Sequence, residues 1–475
     1  MHNLKMAEEM ISAYPTPWDV LIVGSGPAGL FAALSLAKSG MNRILLIDSG
    51  DDIRARAQRR ETNPSGTDLV RGVGGAGLFS DGKLCLSLDV GGALSNLLSG
   101  AERSELLSDI ESVFDRLLPG CIADAKREKP LDAVGTSPLE FKYYPVAHIG
   151  TDRCADIIKS LRAELCRMGV TIVAKCTLTE LRRSLSGFRA TTDNSRYPDI
   201  HARRVVLACG KYGSEFQART CKRLGVAAKR VPLYLGVRFE TDASGIENLF
   251  HGHKDPKFSL LLPDGSKVKT HCATNNGAVV ELDYDGVKLA GGHNYSQYRT
   301  GRSGFGILWN GYSTGDHPRA AADAVLRPMN ARAENHIMVQ RLSDFFNEVP
   351  STELSLRGVK LTNTNATPGN VRAHLPANCS NAIHRLLNEI ARVSPGALDD
   401  SGVLYGPAVE WWMERIDVES KYLETSCDGL FVCGDGSGWS QGIVHAAATG
   451  LLAAEGVKKS QDVVSNRDAT GSVSV

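Results

Sequence analysis

The sequence predicts an α/β fold, in which a parallel sheet with a β-meander is interrupted by a second domain carrying its own mixed sheet. Three observations predict it. Residues 19–48 read as strand, glycine turn, helix, strand. Residues 170–210 read as a series of short strands closing on a glycine turn. Residues 216–404 change texture to strands separated by Gly, Asn and Asp turns, before a last strand and an alanine-rich helix at 428–455.

The first stretch organises the chain. Val20, Leu21, Ile22 and Val23 are a short continuous apolar run, as expected of a strand buried on both faces. Gly24, Gly26 and Gly29 follow as G-x-G-x-x-G, with Ser25, Pro27 and Ala28 between them. In the dinucleotide-binding reading the first glycine makes the tight turn. The second lets backbone approach a pyrophosphate, and the third brings helix close to strand. Pro27 suits a first helical position, where a missing N–H costs nothing. The free amides and dipole of that helix start favour an anion. The second strand, Ile44 to Ile47, ends at Asp48, placed to bond a ribose hydroxyl, with Ser49 beside it. The architecture predicted is therefore Rossmann-like. A glycine-rich turn in some other α/β unit is the alternative, and it leaves Asp48 unexplained.

Composition bounds the rest. A chain of 475 residues is too long for one small core, so two or three domains are expected. Apolar content of 42% and charged content of 23% are those of an ordinary globular protein. With 54 basic and 53 acidic residues, a net charge of +1 gives no electrostatic case for nucleic acid or an anionic membrane. Eleven scattered cysteines without C-x-x-C or metal-ligand spacing suggest free thiols in a reducing compartment. No uninterrupted apolar stretch of about 18 residues predicts a membrane span. The start of the chain lacks the basic-then-apolar order of a signal peptide, and a cytoplasmic location is expected.

After Asp48, a polar segment holds Arg54, Arg56, Arg59 and Arg60, of which Arg56 is the candidate partner for adenylate phosphates; a solvated basic face is the alternative. Residues 72–82 hold five glycines in eleven positions, too many for regular structure and suited to a close approach to a flat ligand. Within them, Gly74-Gly75-Ala76-Gly77-Leu78-Phe79-Ser80-Asp81-Gly82-Lys83-Leu84 resembles the G-G-A-G-x-F-S-D-G-K-L signature of a largely uncharacterised family of FAD-dependent dehydrogenases. That family belongs to the glutathione-reductase-type flavoproteins, near the geranylgeranyl reductases. His148-Ile149-Gly150-Thr151-Asp152, Gly236-Val237-Arg238-Phe239-Glu240 and Asp435-Gly436-Ser437-Gly438 resemble its further motifs, in the same order.

The resemblance implies FAD as cofactor, with NAD(P)H as a candidate transient electron donor. It carries the cofactor contacts onto Gly74, Gly75, Ala76, Gly77, Ser80, Asp81, Gly82 and Lys83, beside those of the first motif. Ala208 and Gly210 form the turn that returns the chain to the cofactor domain, with Cys209 in place of the usual Thr. Gly434 and Asp435 would hold the ribityl chain. Gly442 and Ile443 open a helix whose amides would face the flavin edge that gathers negative charge on reduction.

Other elements follow from periodicity. Ser104–Leu118 carries Leu106, Leu107, Ile110, Val113, Phe114 and Leu117 at helical spacing. Leu139–Ile149 reads as a strand, and 151–168 as an amphipathic helix. Strands are expected at Tyr234–Glu240 and Ala278–Leu282, and helices at Pro318–Asn330 and Asn335–Glu348. The polar tail after Lys458 reads as disordered. The expected division is a discontinuous FAD-binding domain (18–90, 145–215 and 405–458), a helical insertion (91–144), a substrate domain (216–404) and terminal extensions (1–17 and 459–475).

Candidate proton-transfer residues are His445, His293, His271 and Lys83; for the histidines an ordinary hydrogen-bonded role is the alternative. The sequence departs from the family at Glu410-Trp411-Trp412-Met413 and at Trp439, and these tryptophans are candidate walls for a flat, apolar substrate or a domain interface. With no second fingerprint and no paired cysteines, electrons must pass to oxygen, a quinone or a carrier protein, or come from NAD(P)H. The leading expectation is a dehydrogenase or oxidase, or a C=C reductase, exchanging hydride between flavin N5 and a small organic molecule, with an aromatic one among the candidates. The alternatives are an FAD monooxygenase using NAD(P)H and oxygen, an FAD-stabilised scaffold, and a flavin-dependent nucleic-acid-modifying enzyme, against which last the near-zero charge argues.

Overall fold

A computed structural model of the chain describes residues 16–62, 69–123, 125, 137–313, 315, 317–410 and 412–470. At its centre the strand Trp18–Val23 lies in a seven-stranded sheet. Its last four residues are buried because both faces of the sheet are covered, which is why they form an unbroken apolar run. Ile44–Ile47 and Asp199–Leu207 flank it in parallel, Thr171–Val173 lies outside Ile44–Ile47, and Leu430–Val432 pairs with Asp199–Leu207. Leu178–Ser184 and Gly187–Thr192 complete the antiparallel meander. This is the Rossmann-like domain expected of the sequence. The helices Pro27–Lys38 and Ile443–Thr470 pack together over it. Gly450 allows the approach, because a Cβ there would stand 2.1 Å from the Ala28 carbonyl oxygen.

The second sheet has eight strands, in the order Thr367–Pro368, Met338–Arg341, Val403–Glu410, Tyr234–Asp242, Arg302–Trp309, Lys267–Thr274, Lys257–Leu261 and Glu140–Lys142. A separate hairpin, Ala278–Tyr284 with Val287–His293, stands beside it. The long helix Ala377–Val393 covers the sheet with Cys379, Ile383, Leu386, Leu387 and Ile390.

Four expectations are corrected. Val403–Glu410 is an inner strand of the second sheet, paired with Tyr234–Asp242 and Met338–Arg341, so the chain returns to the first sheet only at Leu430–Val432 and not at 405. Residues 91–144 hold the helix Gly100–Leu117 but end in Glu140–Lys142, an edge strand of the second sheet; Pro145, which cannot donate to a ladder, separates it from Val146–His148. Asn335–Glu348 is not one helix. Asn335 sits in a left-handed conformation (φ 65°), and Met338–Arg341 becomes a strand because pairing with Val403–Gly406 outweighs local helical spacing. The last helix continues through Thr470, past the tail expected to be disordered. Of the expected N-terminal extension, residues 1–15 lie outside the described residues.

Candidate functional site

The site grows from the carboxyl end of Trp18–Val23. Gly24 (φ 104°) turns the chain so tightly that a Cβ would lie 2.2 Å from the Ala208 carbonyl oxygen. Gly29 seats the helix on that turn, its absent Cβ falling 1.9 Å from the Gly24 carbonyl oxygen. Ser25 turns inward: its amide and hydroxyl donate to Asp48 Oδ2 at 2.8 and 2.7 Å, while the Gly50 amide donates to Oδ1 at 2.9 Å. These bonds fix the carboxylate at the strand end.

The second glycine segment packs on the first. The Gly74 amide donates to the Ser25 carbonyl at 2.9 Å, and added Cβ atoms at Gly75 and Gly77 would strike Gly26 Cα and Pro27 Cγ at 2.8 and 2.9 Å. Arg56 does not face the groove. It is fully buried beneath the glycine loop, donates to the carbonyls of Val73 (2.5 Å) and Gly75 (2.9 Å), and lies over the Phe79 ring. The adenylate-phosphate role considered for it is therefore replaced by a loop-holding one.

Between these segments runs a cavity of about 410 Å³. Gly24, Gly26, Pro27, Ala28, Asp48, Ser49, Gly75, Ala76, Gly77, Ser80, Ala208, Gly210, Gly434, Asp435, Gly442 and Ile443 all line it. Ser25, Gly29, Gly74 and Gly82 stand behind it; a Cβ on Gly82 would meet the Gly150 backbone at 2.7 Å. A dinucleotide fits this cradle. A Cβ at Gly210 or Gly442 would meet no protein atom within 4 Å, and one at Gly26 only Gly75 Cα at 3.8 Å. These positions keep room beside backbone, not between packed side chains. Two helix starts, at Pro27 and Ile443, open on the same cavity.

A second cavity, of about 240 Å³, adjoins the first; Val70, Ala76, Ser80, Lys211 and Tyr284 line both. Its walls come from the second sheet and the hairpin, and include Arg238, His271, Cys272, Leu282, Leu289, His293, Leu308 and Val409, with Asp81 and Phe79 from the glycine segment. Cys272 has φ 46° at a break in register between His271 and Thr274, a bulge that turns the strand edge toward Asp81 and Lys83.

The candidate proton-transfer residues separate. Lys83 lines neither cavity; it is buried between Asp81 (2.9 Å) and Asp255 (3.3 Å). Burial opposes its charge, but the two carboxylates outweigh burial and hold the ammonium charged far above its ordinary range, so it cannot act as a base. His445 also misses both cavities. It is buried against Gly91 and Gly92, its Nε2 3.0 Å from the Ser87 carbonyl, and burial pushes its pKa down to about 4. His271 and His293 do line the second cavity. Burial lowers both, to about 4 and about 3, so they are neutral imidazoles at pH 7. Glu410 stands 3.3 Å from His271 Nδ1, and Nδ1 of His293 has no protein partner.

Three residues at the junction went unassigned in the sequence. Lys211 lines both cavities, donates to the Val409 carbonyl at 3.0 Å, and stands over the rings of Trp412 (4.3 Å) and Tyr284 (5.3 Å). Burial lowers its pKa to about 8. Its signal was its place directly after the Ala208–Gly210 turn. Tyr284 precedes a hairpin turn, and Arg238 sits inside a motif already singled out. Asp435, partly buried, accepts from Ser440 Oγ (2.8 Å) and the Gly442 amide (3.4 Å), and burial raises its pKa to about 6. Burial pushes the Cys209 thiol well up from its ordinary range. Of the two readings given for the tryptophans, substrate wall or domain interface, Trp412 and Trp439 do not fit the wall: neither lines a cavity, Trp412 lies behind Tyr284 and Lys211, and Trp439 donates its ring N–H to the Ile416 carbonyl at 2.8 Å. Trp411 lies outside the described residues.

A family model for NAD(P)-binding Rossmann-like domains matches residues 22–82. The chain contains such a nucleotide-binding domain, and the match spans both glycine segments and Asp48. An uncharacterised protein of Clostridium beijerinckii is 22% identical, the alignment covering 98% of this chain and 84% of that one. Among solved structures, glycine oxidase from Geobacillus kaustophilus aligns over 94% of this chain and 95% of its own, at 13% identity and a TM-score of 0.41. A geranylgeranyl bacteriochlorophyll reductase-like protein from Thermoplasma acidophilum aligns over 94% and 79%, at 13% identity and a TM-score of 0.40. No helix among the described residues is long and apolar enough to cross a membrane.

Proposed function

We propose that this protein is an FAD-dependent oxidoreductase acting on a small organic molecule. The observation that carries the reading is the continuity of the two cavities: a dinucleotide groove on the first sheet opens, through Lys211 and Tyr284, onto a smaller and largely apolar cavity on the second. Bound in the groove, FAD supplies the hydride chemistry that no side chain can. The motif resemblance and the length of the groove, which runs past the glycine turn to Asp435 and Ile443, support FAD as the occupant.

The chain's own residues bind and orient. Asp48, fixed by Ser25 and Gly50, offers its carboxylate to a ribose. The amides at the start of Pro27–Lys38 favour a pyrophosphate, and those at Ile443 favour negative charge at the other end. Asp435 offers acceptors to a polyol chain between them. Leu282, Leu289, Leu308 and Val409 exclude water from the second cavity. Lys211, with a pKa of about 8, holds or releases a proton at Nζ where the cavities meet.

The test is an absorbance spectrum of the purified protein, followed by anaerobic mixing with NADH and NADPH. Bands near about 370 and 450 nm are expected of bound oxidised flavin. Rapid bleaching by NAD(P)H assigns a reductase or monooxygenase. Bands that NAD(P)H leaves unchanged assign a dehydrogenase or oxidase reduced by its own substrate. A colourless protein that takes up no added FAD overturns the proposal.

A further inference from the structure

We infer that the second cavity takes a small, mostly apolar carboxylate, and that Arg238 binds its anionic head. This rests on the reading of that cavity as the substrate site. Arg238 is only 2% exposed, yet it is among the residues that line the cavity. Its hydrogen bonds go to neutral acceptors: Nη2 donates to the Cys272 carbonyl at 3.1 Å and to Thr274 Oγ1 at 3.0 Å. Nε has no hydrogen-bond partner among the described residues. No carboxylate among the described residues lies within ion-pair distance of the guanidinium.

The neighbouring carboxylates are already matched to other groups. Glu240, two residues along the same strand, accepts from Tyr405 and Thr362 and lies near Arg302. Asp81 and Asp255 share Lys83, and Glu410 pairs with Lys269. A buried cation without a counter-ion is expensive, and the chain makes deliberate room for this one. Gly292 lies against the guanidinium so closely that a Cβ would fall 1.9 Å from Nη2. Of the rest of the polar lining, the Asp81 carboxylate opposes an anion but is paired with Lys83 at 2.9 Å. Lys211 is cationic below about pH 8, and neutral His293, whose Nδ1 is unpartnered among the described residues, can donate an N–H to an anion, whereas the single N–H of neutral His271 faces Glu410. The volume of about 240 Å³ and the leucine and valine walls limit the remainder of the ligand to a small apolar body. A planar guanidinium matches a carboxylate in two parallel hydrogen bonds.

The test is calorimetric titration of the purified, FAD-loaded protein with benzoate and with formate, using benzamide as the neutral control of the same shape as benzoate. At least one carboxylate is expected to bind at least tenfold more tightly than benzamide. Arg238→Met should reduce that preference to less than threefold, and Arg238→Lys, which keeps the charge but not the fork, should retain part of it. No preference for either carboxylate in the unaltered protein overturns the inference, whatever the variants do. So does a full preference surviving in Arg238→Met. Flavin content is read separately from the absorbance at about 450 nm. A colourless protein that still prefers carboxylates sinks the flavin reading alone, and a yellow protein with no preference sinks this one alone.

Discussion

Gly26→Val separates what holds the fold from what holds the ligand. Gly26 has φ −72° and ψ −177°, extended backbone open to any residue, and an added Cβ would meet only Gly75 Cα at 3.8 Å. The folded protein should therefore tolerate a side chain there, within about 1 kcal/mol, since losing a glycine also stiffens the unfolded chain by about 0.4–1 kcal/mol. The same side chain stands in the dinucleotide cavity, where backbone must approach the ligand. At least a hundredfold loss of FAD affinity is expected, about 2.7 kcal/mol. Gly29→Ala is the contrast: its Cβ would lie 1.9 Å from the Gly24 carbonyl oxygen, so the helix must shift, at a cost of about 1–3 kcal/mol. The assay pairs the ratio of flavin to protein absorbance after desalting with the melting temperature of the flavin-free forms. Apo forms must be compared because a bound ligand raises the melting temperature by mass action. Gly26→Val should be colourless yet melt within about 2 °C of apo wild type. A yellow, fully loaded Gly26→Val would refute the placement of the cofactor, and a lower melting temperature for it than for Gly29→Ala would refute the packing argument.

Lys83→Met should destabilise the protein by about 3–5 kcal/mol, measured by urea unfolding, because it leaves buried Asp81 without its cation and Asp255 with only the more distant Lys257 (3.7 Å), and adding Asp255→Asn should recover part of the loss. Both carboxylates titrate below their ordinary range, Asp81 at about 2, where burial acts against the shift and Lys83 drives it. The stability they contribute is thus complete above about pH 4 and falls as the pH drops toward 2, an acid-side loss that Lys83→Met should flatten. Lys211 gives a slope of the same sign at alkaline pH, but as a burial cost relieved on deprotonation. Burial lowers its pKa to about 8, so between there and its unfolded value of 10.5 the unfolded chain binds more protons and stability rises with pH. Urea midpoints of wild type should rise over that window relative to Lys211→Met; parallel curves would show that Lys211 is not desolvated. Asp435→Ala should weaken FAD retention by about 1–3 kcal/mol, through loss of an acceptor at the cavity, and unchanged retention in equilibrium dialysis would show the Gly434–Asp435 element to be misassigned.

The elements of the Rossmann-like domain were legible because each rests on local chemistry. A buried parallel strand needs an apolar run, a tight turn needs Gly24, and a helix against a strand needs Gly29. The strand Met338–Arg341 was hidden because its antiparallel partner, Val403–Gly406, lies more than 60 residues away and its other neighbour, Thr367–Pro368, is only two residues long. Val403–Glu410 was assigned to the wrong sheet for the same reason: an apolar run announces burial but not its neighbours. Arg56 was a candidate phosphate partner because it lies in an arginine cluster after Asp48, with a solvated face as the alternative, and Lys83 was a candidate because it directly follows the second glycine segment. Only the three-dimensional packing shows one turned under the loop and the other locked between two carboxylates.

The sequence by itself determined the glycine turns, the carboxylate that ends the second strand and the parallel sheet that carries them, since spacing along the chain is spacing in space within one βαβ unit. Only the tertiary structure decided what faces the second cavity. Lys211, Arg238 and Tyr284 are far apart in the chain, and they meet because two sheets close on one another there. Their charge states followed from that closure too: burial made the two histidines neutral and lowered Lys211, and no local pattern encodes which carboxylate a buried cation will find.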